Sequence, residues 1–146
     1  MFNKILYTTD FSDESKRAFA LATSIAATHQ SKLFIVHVTE TTVPVTVLPP
    51  ASAATSLPPV VPTRDELSEQ LNRITPGDPI VQYEQELLSG VAGNEIVSFT
   101  IDTAINLTVM STHGRSGLER FLLGSVAEYV VRHATRPVLT CNAEFQ

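Results

Sequence analysis

Half of the six glycines of this 146-residue chain fall within one short stretch, MSTHGRSGLERFLLGS, from Met110 to Ser125. Gly114 and Gly117 remove side chains where a backbone must turn sharply or approach a ligand, and Gly124 followed by Ser125 can open a helix whose first N–H groups lack intrahelical partners. N–H donors converging at a helix N-terminus select an anion, and each negative group gains roughly 0.3–1 kcal/mol there at exposed sites. The local charge agrees: from Asn106 to Ala143, Arg115, Arg120, Arg132 and Arg136 face only Glu119 and Glu128, a balance of +2 in a chain of net charge −5. The same residues would also serve a plain strand-to-helix connection with capping glycines.

Two other phosphate grips are excluded. The P-loop requires G-x-x-x-x-G-K-[ST], but Lys4, Lys16 and Lys32 all precede the loop by far. The dinucleotide fingerprint G-x-G-x-x-G should follow the first strand, where this chain has TTDFSDES, without glycine. Asp10 stands there instead. Its carboxylate can accept hydrogen bonds from a ribose hydroxyl or a base amine, or can act as a turn residue ahead of a helix cap.

The elements that must position these residues alternate. Asn3 to Thr9 is a strand candidate; Ser12 can cap a helix in which Ala18, Leu21, Ala22, Ile25 and Ala26 share one face and which ends near His29. Lys32 to Val38 has the nearly unbroken apolar run of an interior strand. A proline-rich insertion at about 39–63 holds six of the nine prolines and reads as an extended surface loop, with a lid over a site or a docking strip for a partner as the alternative. Arg64 to Ile74 is a short helix lined by Leu67, Leu71 and Ile74, and Ile80 to Leu88 suits an edge strand. Glu95 to Ile105 is helical with Val97, Ile101, Ala104 and Ile105 inward. Leu107 to Ser111 is a buried strand, Ser125 to Ala134 a helix burying Val126, Val130 and Ala134, and Pro137 to Cys141 a final strand. Five strands separated by helices argue for one α/β domain over 1–146, with a parallel sheet covered on both faces. In such sheets ligands sit beyond the carboxyl ends of the strands, where connections leave to opposite faces.

Composition bounds the rest. At 43% hydrophobic the chain can bury a core, and its acidic balance argues against general nucleic-acid binding. No apolar run reaches the roughly 20 residues of a membrane span, and the N-terminus lacks a signal-peptide pattern. The sole cysteine, Cys141, reads as packing and fits a reducing cytoplasm.

Together KILYTTDFS, FIVHV and VMSTHGRSGLERFLLGSVAEYVVRHATRPVL resemble the universal stress protein family, over nearly all of the chain except the proline-rich insertion and the helix after it. The nucleotide-binding frame of that family, G-x2-G-x9-G-[ST], falls on Ser111, Gly114, Gly124 and Ser125, with serine in place of the first glycine. The resemblance implies a five-stranded sheet of order 3-2-1-4-5. It implies Thr8, Asp10 and Val38 around adenine and ribose, Met110 and Ser111 flanking the nucleoside, and Gly114, Gly124, Ser125 and Val126 at the phosphates of ATP, ADP or AMP. Arg115 and Gly117 belong to the same loop, and Mg²⁺ or Mn²⁺ would arrive with the phosphates. The family also implies a homodimer; the last strand, at a sheet edge, would place Val138, Leu139 and Thr140 at its interface.

No catalytic group stands out. No G-x-S-x-G elbow precedes Ser111 or Ser125, so His113, Ser116 and Ser125 do not compose a hydrolase. His37 reads as a strand histidine satisfied by neighbours, and His29 and His133 sit near helix C-termini. No His, Cys, Asp or Glu cluster has metal-ligand spacing. The expectation is an ATP-binding sensor or switch with slow or no hydrolysis; the rival is a dimeric regulatory scaffold of the same fold that binds no nucleotide.

Overall fold

A computed structural model describes residues 2–40, 60–112 and 123–142. The proline-rich stretch lies largely outside these residues, as do Gly114, Arg115 and Gly117. The described chain runs β1 (Lys4–Thr8), α1 (Asp13–His29), β2 (Lys32–Thr39), α2 (Arg64–Asn72), β3 (Tyr83–Ser89), α3 (Ala92–Asp102), β4 (Leu107–Ser111), α4 (Ser125–His133) and β5 (Val138–Cys141). All strand pairings are parallel, in the order β3-β2-β1-β4-β5.

The period-two alternation of the central strands sends neighbouring side chains to opposite faces. Ile5 and Tyr7 of β1, Leu33 and Ile35 of β2 and Val109 of β4 pack with Ala18, Ala22 and Ala26 of α1 and Leu71 of α2. Leu6, Phe34, Val36 and Met110 pack on the other face with Ile96 of α3 and Ala127 and Val130 of α4. Ser12 caps α1, its side chain accepting from the Ser15 amide, and Gln30 ends the helix in the left-handed region, φ 53°. Thr63 and Glu66 form a capping box on α2, and the Gln85 side-chain amide of β3 donates to the carbonyls of Leu71 and Ile74 at that helix's other end.

Two expected faces shift. α3 begins at Ala92, three residues before Glu95, because Gly90 turns the chain at φ 147° directly after β3. Its buried residues are Gly93, Ile96 and Thr100; Ile101 and Ala104 are exposed, Val97 is half-buried, and Ile105 is buried beyond the helix. The apolar Val97–Ile101 spacing loses to a stripe with a glycine in it because α3 must lie close against α4. In α4, Ala127 takes the buried place expected of Val126, and Ala134 is half-buried past the helix end. The fifth element also starts late, with Ile80 exposed in the preceding turn and β3 beginning at Tyr83.

Candidate functional site

β1 hands the chain to α1 on one face of the sheet, whereas β4 hands it to α4 on the other. The adjacent carboxyl ends of β1 and β4 therefore diverge, and a cleft opens between them. Its volume is about 380 Å³, within the range of about 300–1,000 Å³ usual for small-molecule sites.

The floor is the strand ends themselves: Thr8 to Asp10, Val36 to Val38, and Met110 to Thr112. Ala92 and Ile96 of α3 form one wall, Gly124 to Ala127 of α4 another, and Glu40 stands at the rim. Eight of the residues expected from the sequence meet here: Thr8, Asp10, Val38, Met110, Ser111, Gly124, Ser125 and Val126. Gly114, Arg115 and Gly117 lie outside the described residues. Of the other arginines in the local excess, Arg132 pairs with Glu128 at 2.8 Å, and neither it nor Arg136 lines the cleft.

The Asp10 turn is held from several directions. The Thr9 amide donates to the Val36 carbonyl at 2.9 Å, extending β1's pairing beyond its last residue. Thr9 Oγ1 accepts from the Phe11 amide at 3.0 Å and shares a hydrogen bond with Ser15 Oγ. Asp10 Oδ1 accepts from the Ser12 amide at 3.0 Å and from the Ser12 hydroxyl. The carboxylate thus stands at the positive end of α1, in the turn role legible from its position, while also facing the cleft. Phe11 carries φ 65°, a conformation that costs a bulky residue on the order of 1–3 kcal/mol and persists only where the surrounding contacts hold it.

Across the cleft, the Gly124 amide donates to the Thr112 carbonyl at 2.7 Å, which returns the chain to the end of β4. Gly124 is the N-cap of α4 and offers no side-chain acceptor to the first-turn amides. Carboxylates therefore mark the β1–β2 side and a positive helix terminus the β4 side. A ligand with hydroxyl or amine donors at one end and an anion at the other suits this polarity. Among the described residues no group of three or more His, Cys, Asp or Glu could hold a metal ion.

Sequence reasoning passed over two cleft residues with specific contacts. Thr9 was masked by the more obvious Asp10 beside it. His37, expected to be satisfied by neighbours, is: its Nδ1 lies 2.7 Å from the Thr9 carbonyl, and its ring packs on Phe11 with centroids 4.3 Å apart. No local signal shows that its strand position faces this cleft; that follows from β2 lying beside β1.

Residues 1–142 match the universal stress protein family. The chain is 35% identical over 141 residues to universal stress protein MJ0531 of Methanocaldococcus jannaschii, covering 95% of this chain and 81% of that one. Among solved structures, a universal stress protein in complex with cAMP superposes with a TM-score of 0.69 at 23% identity, covering 97% of each chain. The universal stress protein from Archaeoglobus fulgidus in complex with dAMP gives a TM-score of 0.62 at 20% identity, covering 96% of this chain and 97% of that one.

Proposed function

The chain belongs to the universal stress protein family, and from that premise we propose that it binds an adenine nucleotide, ATP foremost, and acts as a nucleotide-dependent sensor or switch in the stress response. The observation that carries the reading is the cleft at the β1–β4 divergence, which sets Asp10 opposite the uncapped N-terminus of α4. In this reading Thr8, Asp10 and Val38 surround base and ribose, Met110 and Ser111 flank the nucleoside, and Gly124, Ser125 and Val126 meet the phosphates. Gly114, Arg115 and Gly117 of the intervening loop complete the phosphate grip, with Mg²⁺ or Mn²⁺ carried on the phosphates. Two solved relatives of the same fold bind cAMP and dAMP, which supports an adenylate as the ligand class.

Binding rather than turnover is the expected chemistry. Fast phosphoryl transfer needs a cationic clamp, carboxylates that hold the metal and a residue that orients water. Beyond Arg115 of the proposed grip, the described residues of the cleft add no lysine or arginine, and Asp10 is already engaged by Ser12. Groups that hold ground state and transition state alike yield affinity without rate. β5 is a sheet edge whose outer backbone groups no described strand pairs, and Leu139 on it is exposed, which supports a homodimer through Val138, Leu139 and Thr140. The lone, buried Cys141 suits a reducing, cytoplasmic setting.

Titration calorimetry with ATP or ADP and Mg²⁺ tests the reading. Heat of binding that Gly124→Val abolishes, with the fold retained, is the expected result. No heat at millimolar nucleotide leaves the dimeric scaffold as the function.

A further inference from the structure

We infer that His37 is a positioning residue for the ligand-facing Asp10 turn, acting through the Thr9 carbonyl; its effect on nucleotide affinity rests on the reading of the cleft given above. The carbonyl of Thr9 and the amide of Asp10 belong to one planar peptide unit. A donor anchored on that carbonyl therefore fixes the plane from which Asp10 departs. His37 Nδ1 lies 2.7 Å from the Thr9 oxygen. A carbonyl only accepts, so Nδ1 carries the hydrogen, and this contact sets the tautomer of the ring.

A second contact makes His37 more than one hydrogen bond among several. Its ring packs on Phe11, which is held at φ 65° immediately after Asp10. Asp10 is thus bracketed: β2 grips the peptide before it through Nδ1 and the side chain after it through the imidazole face. The ties from Thr9 Oγ1 to the Phe11 amide and Ser15, and from Asp10 to Ser12, are internal to the β1–α1 connection and its helix. His37, together with the Thr9 amide bonded to Val36, references the turn to the neighbouring strand.

The test separates donor geometry from bulk. Asn places its amide nitrogen where Nδ1 of histidine lies, whereas Gln places its nitrogen near Nε2. Affinity for ATP with Mg²⁺ should stay within about threefold in His37→Asn and fall about tenfold or more in His37→Gln and His37→Leu, with thermal melting used to confirm that each variant is folded. Hydrogen exchange of the Phe11 and Ser12 amides, read without nucleotide, should quicken in His37→Gln and His37→Leu but not in His37→Asn. Equal affinity and exchange in all four proteins overturns the inference, as does a loss in His37→Asn as large as in His37→Leu. If the unaltered protein binds no nucleotide, the cleft reading fails while the exchange experiment still decides the positioning role.

Discussion

The ring of Tyr129 lies so close against Gly93 that a Cβ there would sit 2.6 Å from Tyr129 Cδ1. Gly93 is buried on α3, Tyr129 sits on α4, and both helices line the cleft, at Ala92 and Ser125. A methyl group at this point must displace the Tyr129 ring or push the helices apart. Gly93→Ala should destabilise the fold by about 1–3 kcal/mol, the usual consequence of overpacking. The loss should shrink in a Tyr129→Ala background, where the obstructing ring is gone. Urea denaturation of the four proteins of this cycle measures the coupling, and additive effects would show that the contact is slack.

On the proposed function, ATP binds with a dissociation constant of about 1 μM to 1 mM, on the order of −8 to −4 kcal/mol. Asp10→Ala removes a charged acceptor worth about 1.5–3 kcal/mol, and calorimetry should register at least a tenfold weakening. Affinity unchanged in Asp10→Ala would confine that residue to its turn role with Ser12.

Hydrolysis should be far below the median enzyme turnover of about 10 per second. A phosphate-release assay on purified protein reads this directly. Release at several per second, lost in Gly124→Val, would reveal a catalytic group that the cleft's described residues do not include.

Tyr7 supplies a pH signature. Its phenol is buried and donates to the Ser15 carbonyl at 2.7 Å. Burial raises its pKa above the ordinary tyrosine value, outweighing the side-chain hydroxyls of Ser15 and Thr9, which favour the phenolate and lower it. The folded state therefore holds this proton more tightly than the unfolded chain does. The resulting stability is fully present below the unfolded pKa of about 10 and is lost as pH rises through the higher folded value. Tyr7→Phe should cost about 1 kcal/mol near neutrality but flatten the alkaline decline, as compared by urea denaturation near pH 8 and near pH 11. An equally steep alkaline decline in Tyr7→Phe would move the effect elsewhere.

The exposed edge of β5 bears on assembly. Leu139→Glu should shift the proposed homodimer to monomer in light scattering, and the unaltered protein should show twice the chain mass. A concentration-independent monomer mass in both would remove β5 as an interface.

The elements themselves were legible because their signals are local. Ser12 before a three-and-four spaced alanine stripe determined α1, an unbroken β-branched run marked β2 as interior, and Gly124-Ser125 marked the start of α4. The glycine loop and Asp10 singled themselves out by residue type, one for backbone donors and the other for a carboxylate where a dinucleotide-binding chain would have glycine. The strand order came from resemblance to a family, since no local pattern encodes which strands lie side by side.

What only the tertiary structure decided depends on partners distant in the chain. Whether Ile96 or Ile101 faced inward on α3 was set by the approach of Tyr129 to Gly93, a contact that rewards the absence of a side chain and leaves no hydrophobic trace in the sequence. His37 looks like any strand histidine until β2 is laid parallel to β1 and its ring meets Thr9 and Phe11. The sequence by itself determined which residues had the chemistry for the proposed nucleotide site; the parallel order and the opposite exits of β1 and β4 decided that Asp10 and the α4 N-terminus share one cleft. Residue types act over their neighbours along the chain, whereas a site forms from groups that only the packing of helices on both faces of the sheet brings within reach.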